Sequence, residues 1–211
     1  MEKKKAELLE GVAQYYSAKL VEHGETPRGV DWNSEESQVL RFSQLTKLID
    51  SVTRFSVNDL GCGYGALYEY LASRFQEFDY RGYDVSADMV RVAAQRYAAK
   101  RNAQFLTAAE PDGIADYGIA SGLFNVRLGH GDAEWRGHVE STLNVLDRTS
   151  LKGFAFNCLT SYSDADKRKD YLYYADPCHV FDLCKRRYSR HVTLLHDYGL
   201  YEFAVLVRKV L

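Results

Sequence analysis

The run Val57-Asn58-Asp59-Leu60-Gly61-Cys62-Gly63-Tyr64-Gly65 constrains this chain more than any other stretch. A short apolar strand enters a turn with glycine at every second position, and a helical pattern over 66–75 follows at once. Glycine adopts backbone angles closed to other residues and lets a ligand approach the bare main chain. The amides of a helix start can also receive an anionic group. The next strand-like run, Tyr80-Arg81-Gly82-Tyr83-Asp84, ends in an acid. That acid lies about 20 residues beyond the turn, the spacing at which a carboxylate grips ribose hydroxyls. Together these features predict an adenosine-bearing cofactor. A dinucleotide fingerprint wants a third glycine where Ala66 stands, and a phosphate-binding loop wants Gly-Lys-Ser/Thr, which is missing.

The surrounding rhythm predicts the scaffold. Strand patterns at 57–60, 80–85, 103–106, 117–120 and 153–159 alternate with helix patterns at 66–75, 87–99 and 133–146. Such alternation predicts an α/β fold, a parallel sheet with helices on both faces. Two β-rich runs, 191–195 and 201–207, then read as an antiparallel hairpin that brings the strand count to seven. Ahead of the rhythm, residues 5–21 carry a helical apolar stripe through Leu8, Leu9, Val12, Tyr15, Tyr16 and Leu20, with Gly24 placed as a C-cap. Asn33 with Glu36 reads as the start of a second amphipathic helix. The whole is read as one domain over 1–211, a helical cap over 1–50 and a core over 51–211.

Composition removes several classes. The 27 basic and 29 acidic residues leave a net charge of -2, so the basic footprint of a nucleic-acid binder is missing. No run of about 18 apolar residues predicts a membrane span. The start, Met1-Glu2-Lys3-Lys4-Lys5, has no apolar stretch or cleavage site of a signal peptide. Cysteines 62, 158, 178 and 184 show no paired metal spacing, and Cys178, His179 and Cys184 share no helical face, so no metal is expected. A reduced, cytoplasmic chain is the simplest reading.

At this point the chain resembles the class I S-adenosylmethionine-dependent methyltransferases, in particular small bacterial members of unassigned substrate. The matching segments are Asp59-Leu60-Gly61-Cys62-Gly63-Tyr64-Gly65, Asp84-Val85-Ser86-Ala87-Asp88-Met89 and Ser121-Gly122-Leu123-Phe124-Asn125, together with the terminal hairpin. The resemblance implies a Rossmann-like, doubly wound, mostly parallel seven-stranded sheet, with S-adenosyl-L-methionine as cofactor. It implies that Gly61, Cys62, Gly63 and Gly65 form the turn against the methionine part. Asp59 would orient that turn, Asp84 and Val85 would hold the ribose side, and Met89 would pack near adenine. Ala109 and Glu110 fall at the adenine edge, where many relatives carry aspartate, and Asn125 follows the fourth strand. Asn58 departs from the family's apolar residue and needs a hydrogen-bond partner if buried.

The acceptor side is read from position and residue type. Trp32, Asn157, Tyr173 and Tyr174 are candidate acceptor contacts, with Tyr162 as a further wall. His23 or His196 is the candidate base, and Tyr162 is grouped with them as catalytic. Arg41, which with His23 and Trp32 comes from the cap toward the acceptor pocket, is read as a solvated helix arginine, with a contact to the cofactor carboxylate as its alternative. Lys185-Arg186-Arg187 reads as the last turn of a helix. The leading expectation is methyl transfer to a small molecule. The competing readings are a nucleic-acid (RNA) methyltransferase, a non-catalytic cofactor-binding protein and a nicotinamide dehydrogenase. The first lacks the Asp/Asn-Pro-Pro-aromatic signature after the fourth strand, where Phe124-Asn125-Val126-Arg127 stands. Oligomeric state is not legible.

Overall fold

The fold, a computed structural model, is described for residues 2–50 and 53–209, with residues 2–4 as backbone only. The boundary drawn at Ser51 therefore falls outside the described residues. Two helices come first, α1 (Glu2–His23) and α2 (Glu35–Leu45). Alternation follows: β1 (Phe55–Leu60), α3 (Ala66–Ala72), β2 (Phe78–Asp84), α4 (Ala87–Arg96), β3 (Ala103–Thr107), β4 (Ala115–Ala120), α5 (Asp132–Arg148) and β5 (Ser150–Thr160). The chain ends with β6 (Tyr174–Ala175), α6 (Pro177–Arg187), β7 (His191–Leu195) and β8 (Glu202–Arg208).

Seven strands run in the order β3-β2-β1-β4-β5-β8-β7, and β6 adds a two-residue parallel pairing beside the end of β5. The first five are mutually parallel, while β8 lies antiparallel between β5 and β7. The terminal hairpin thus inserts its second strand next to β5. The short β6 escapes a pattern search because two residues carry no periodicity.

The central strands β1, β4, β5 and β8 are buried on both faces, as strands sandwiched between helix layers are. On one face Phe154, Phe156, Phe203 and Val205 meet Trp135, Leu143 and Leu146 of α5, Val180 of α6 and Leu8 and Val12 of α1. On the other, Val57, Tyr80, Tyr117 and Leu206 meet Leu67 and Leu71 of α3 and Phe42 and Leu45 of α2. Asn58, the polar residue in β1, finds its partners: its amide donates to the carbonyls of Gly113 at 2.9 Å and Thr149 at 3.3 Å. It stitches the β3–β4 connection to the end of α5.

Helix ends follow local chemistry. Gly24 closes α1 with φ of 66° and its amide on the Leu20 carbonyl. The cap of α2 is Ser34 rather than Asn33, because Ser34 and Ser37 exchange reciprocal side-chain bonds at 3.2 and 3.3 Å. Helix α4 stops before 99, where Tyr97 leaves helical geometry to stack on Phe105 and cross Tyr68.

Gly153 in β5 carries φ of 152°, and a Cβ there would stand 2.3 Å from the Val207 carbonyl oxygen in β8. Gly153→Ala is expected to destabilise the fold by about 3 kcal/mol in denaturant unfolding. Gly137→Ala, on an open position of α5, is expected to stabilise it by about 0.5–1 kcal/mol.

Candidate functional site

The glycine turn sits at the carboxyl ends of the parallel strands, where ligands bind in such sheets. Gly61, Gly63 and Gly65 all have positive φ, 78°, 53° and 84°. The Tyr83 carbonyl accepts the amides of Gly61 at 2.7 Å and Cys62 at 3.0 Å. Asp84 accepts the Gly63 amide at 2.9 Å with one oxygen and the Ser86 amide at 2.9 Å with the other. These amides, expected to lie free for an anionic group, are therefore committed within the protein. The turn is a backbone knot tied to the end of β2.

The crevice beside this turn encloses about 990 Å³, solvent at its mouth included, and is lined by Asp59, Gly61, Cys62, Gly63, Asp84, Val85, Met89 and Ala109 among others. Among the described residues no lysine or arginine lines it, whereas two carboxylates do. Asp59 is buried and receives the Tyr80 hydroxyl at 2.5 Å. Burial pushes its carboxyl up from 3.8 to about 7, against the Tyr80 bond and with help from the Asp84 charge. Asp84 is also raised by burial, opposed by the amides of Ser86, Gly63 and Val85.

These residues fit S-adenosylmethionine. The acids match its positive charge. The tight turn leaves no room for side chains, since a Cβ on Gly63 would stand 2.9 Å from Val30 and one on Gly61 would stand 2.8 Å from Leu123. The buried Ser121 hydroxyl in the crevice wall has no partner among the described residues. A pyrophosphate would meet carboxylates and find the first three turn amides already taken.

The cap closes the crevice. Leu9, Val12 and Tyr16 of α1, with Trp32, Gln38 and Phe42, form its outer wall. The cap is fastened by Ser17 on Ser86 at 2.9 Å, by Tyr64 donating to Gln38 at 3.0 Å and by Lys5 on Glu110 at 2.8 Å. His138 and Thr142 of α5 complete the inner side. Burial, with the nearby charges of Lys5 and His130, lowers the His138 ring to about 4 and keeps it neutral.

A second chamber, about 1350 Å³ with open solvent included, shares Tyr16, Val30, Trp32 and Gly122 with the crevice. Trp32 lies on Gly122, where a Cβ would come within 2.3 Å of the indole. Asn157 fixes that glycine by accepting its amide at 2.7 Å. Arg41 stacks on Trp32 at 3.7 Å from the ring centre and donates from Nε to the buried Glu202 at 2.8 Å. Arg41 is thus a buried chamber wall, neither solvated nor in the crevice.

The predicted residues therefore divide. Asp59, Gly61, Cys62, Gly63, Asp84, Val85, Met89, Ala109 and Trp32 line the crevice. Gly65 caps α3 against Tyr97 and Phe105 instead. Glu110 turns outward to Lys5 and Arg148, the Lys5 bond holding its carboxyl low. Asn125 and Tyr174 line the second chamber, Asn157 lies beneath it, and Tyr173 is buried in the core. His23 pairs with Glu22 at the end of α1, while His196 and the exposed Tyr162 pack on each other outside both cavities. Sequence reasoning missed Tyr16, Gln38 and His138 as wall residues. The apolar stripe of α1, which includes Tyr16, was the one signal that could have found the first.

Comparisons with known proteins agree with this geometry. A family described as a methyltransferase domain matches residues 57–141. A Mycobacterium tuberculosis protein carrying the name Putative methyltransferase Rv1506c is 60% identical over 163 residues, 77% of this chain and 98% of that protein. Among solved structures, a DhpI–SAM–HEP complex superposes with a TM-score of 0.66 at 15% identity, covering 96% of this chain and 98% of that one. The magnesium protoporphyrin IX methyltransferase of Synechocystis PCC 6803 with bound SAM gives 0.55 at 17% identity, covering 82% and 77%. Human N-acetylserotonin methyltransferase with SAM gives 0.59 at 18% identity, covering 93% and 66%.

The Arg41–Glu202 pair generates a stability test. Arg41→Met strands a buried carboxylate and is expected to cost about 3–5 kcal/mol in denaturant unfolding, whereas the double change with Glu202→Met recovers most of that loss.

Proposed function

The chain belongs to the class I S-adenosylmethionine-dependent methyltransferases, and from that premise we propose that it methylates a small molecule seated in the chamber beside the cofactor crevice. One observation carries this reading: two cavities meet at a common wall of Tyr16, Val30, Trp32 and Gly122. A donor in one and an acceptor in the other would lie on either side of these shared residues. The names of two structural neighbours, for magnesium protoporphyrin IX and N-acetylserotonin, point the same way. We read residues 1–211 as one unit, with 1–50 as the cap.

S-adenosylmethionine, when bound, supplies a methyl group made electrophilic by its sulfonium. The protein's task is placement and exclusion of water. Asp84 would accept the ribose hydroxyls with the lone pairs that the Gly63 and Ser86 amides leave free. Val85 and Ala109 offer small apolar walls to the adenine. Asp59 and Asp84 together favour a cation in a site of low dielectric. Tyr16 borders both cavities with no hydrogen bond from its hydroxyl to the described residues, and burial holds that phenol protonated. It donates a hydrogen bond toward whichever acceptor atom approaches. His23, His196 and Tyr162 line neither cavity, so we assign them no base role. No helix among the described residues is long and apolar enough to cross a membrane.

Methyl transfer from labelled S-adenosylmethionine to a panel of small acceptors, with RNA included, tests the reading. Label passing to RNA alone would contradict it. Asp84→Ala is expected to weaken cofactor binding by about 1–3 kcal/mol in calorimetry, through loss of charge-assisted hydrogen bonds. Unchanged affinity would remove Asp84 from the ribose site.

The Asp59 carboxyl adds a pH dependence. Below pH 7 it holds a proton in the cofactor-free protein, and a bound cation favours the ionised form. Binding then releases a proton, so affinity is expected to rise severalfold as pH climbs through 7, by roughly the linkage of one group. Asp59→Asn should flatten that part of the profile. The fold without cofactor follows the opposite sign. A carboxyl raised from 3.8 to about 7 contributes stability below its unfolded value that is lost as pH rises through 7.

A further inference from the structure

We infer that the acceptor is a flat aromatic molecule bearing a carboxylate, and that Arg41 together with Lys169 forms the handle for that anion. This rests on the assignment of the second chamber as the acceptor site.

The chamber has a charge opposite to that of its neighbour. Its wall contains Arg41, Lys167 and Lys169, against Asp31 as its one acid among the described residues. Asp31 is already neutralised: it accepts the Tyr15 hydroxyl at 2.9 Å and pairs with Lys19 at 3.3 Å. Lys167 pairs with Asp166 at 3.1 Å on the exposed rim. Lys169 meets no carboxylate among the described residues, its ammonium lying 3.3 Å from the Tyr171 hydroxyl. Arg41 is paired with Glu202, so the positive charge left over sits on Lys169, and Arg41 contributes an N–H without a partner rather than net charge.

Arg41 is the sharper signal. The residue is 7% exposed, and its Nη1 is buried with no acceptor among the described residues. A buried guanidinium N–H without a partner is costly, and native structures rarely leave one so. Glu202 takes Nε, and Trp32 covers the flat face of the group. Nη1 is left without a partner, and it belongs to the in-plane edge by which a guanidinium matches a carboxylate. The rest of the chamber wall is rich in rings, with Tyr16, Trp32, Tyr171, Tyr174 and Tyr201. Rings of this kind favour a flat, conjugated guest.

The two cavities together also sort their ligands. A cation is drawn to the crevice with its two acids and repelled by the chamber. An anion is treated in the reverse way. The carboxylate is a handle only, and no bond to it is made or broken in the transfer.

The test uses the full-length protein saturated with S-adenosylhomocysteine, titrated by calorimetry with 4-hydroxycinnamate and with the amide of the same shape. The carboxylate is expected to bind at least about tenfold tighter than the amide. The preference should shrink severalfold in Lys169→Gln and vanish in Arg41→Met/Glu202→Met, a double change that leaves no stranded buried charge. Equal binding of the two probes, binding of neither, or a preference that survives both variants overturns the inference. Weakened S-adenosylhomocysteine binding in the double variant also overturns it, because it would move Arg41 to the donor side. Failure of S-adenosylhomocysteine to bind the unmodified protein is a separate result, and it strikes the cofactor site itself.

Discussion

The site depends on how the end of β2 holds the turn after β1. The Tyr83 carbonyl and the Asp84 carboxylate together receive three successive amides of the turn, those of Gly61, Cys62 and Gly63. This arrangement fixes the backbone in angles that glycine alone adopts readily. It also sets the electrostatic character of the crevice. Amide hydrogens that would attract phosphate are turned inward, and carboxylates remain as the charged groups on the wall. Bulk and charge thus both select for an adenosyl cation.

The cap finishes what the turn begins. Alone, the carboxyl ends of the strands would form an open shelf. Helix α1 lays Leu9, Val12 and Tyr16 across it, and the segment from Val30 to Phe42 closes the other side. Trp32 lies at the centre of this closure, seated on Gly122 and backed by Arg41. That ring divides the enclosed space into an acidic half and a basic half. Arg41 reaches this place because Glu202, the first residue of the inserted strand β8, waits beneath it. The antiparallel insertion at the sheet's end therefore bears directly on the site.

Local spacing made much of this legible. The strand, glycine turn and helix and the acid at the end of β2 announce themselves between residues 57 and 84, and the terminal hairpin does so separately between 191 and 207. Asn58 was legible as a demand for partners, and Gly113 and Thr149 supply them. Contacts between distant segments were not legible. The spacing of the glycines says nothing about whether their amides are free, since the acceptor is a carbonyl on another strand. The burial of Arg41 needs Glu202, far away in the chain. Glu110 stood at the expected sequence position, but Lys5 and Arg148 draw it outward. His23 and His196 have the chemistry of a base, and the chain folds them outside both cavities.

The most direct measurement is a calorimetric competition between S-adenosylmethionine and NAD for the purified protein. The committed amides and the two crevice carboxylates predict that S-adenosylmethionine binds one site per chain and that NAD neither binds there nor displaces it. Displacement of S-adenosylmethionine by NAD would mean that the turn receives a pyrophosphate, and would contradict a crevice built for an adenosyl cation.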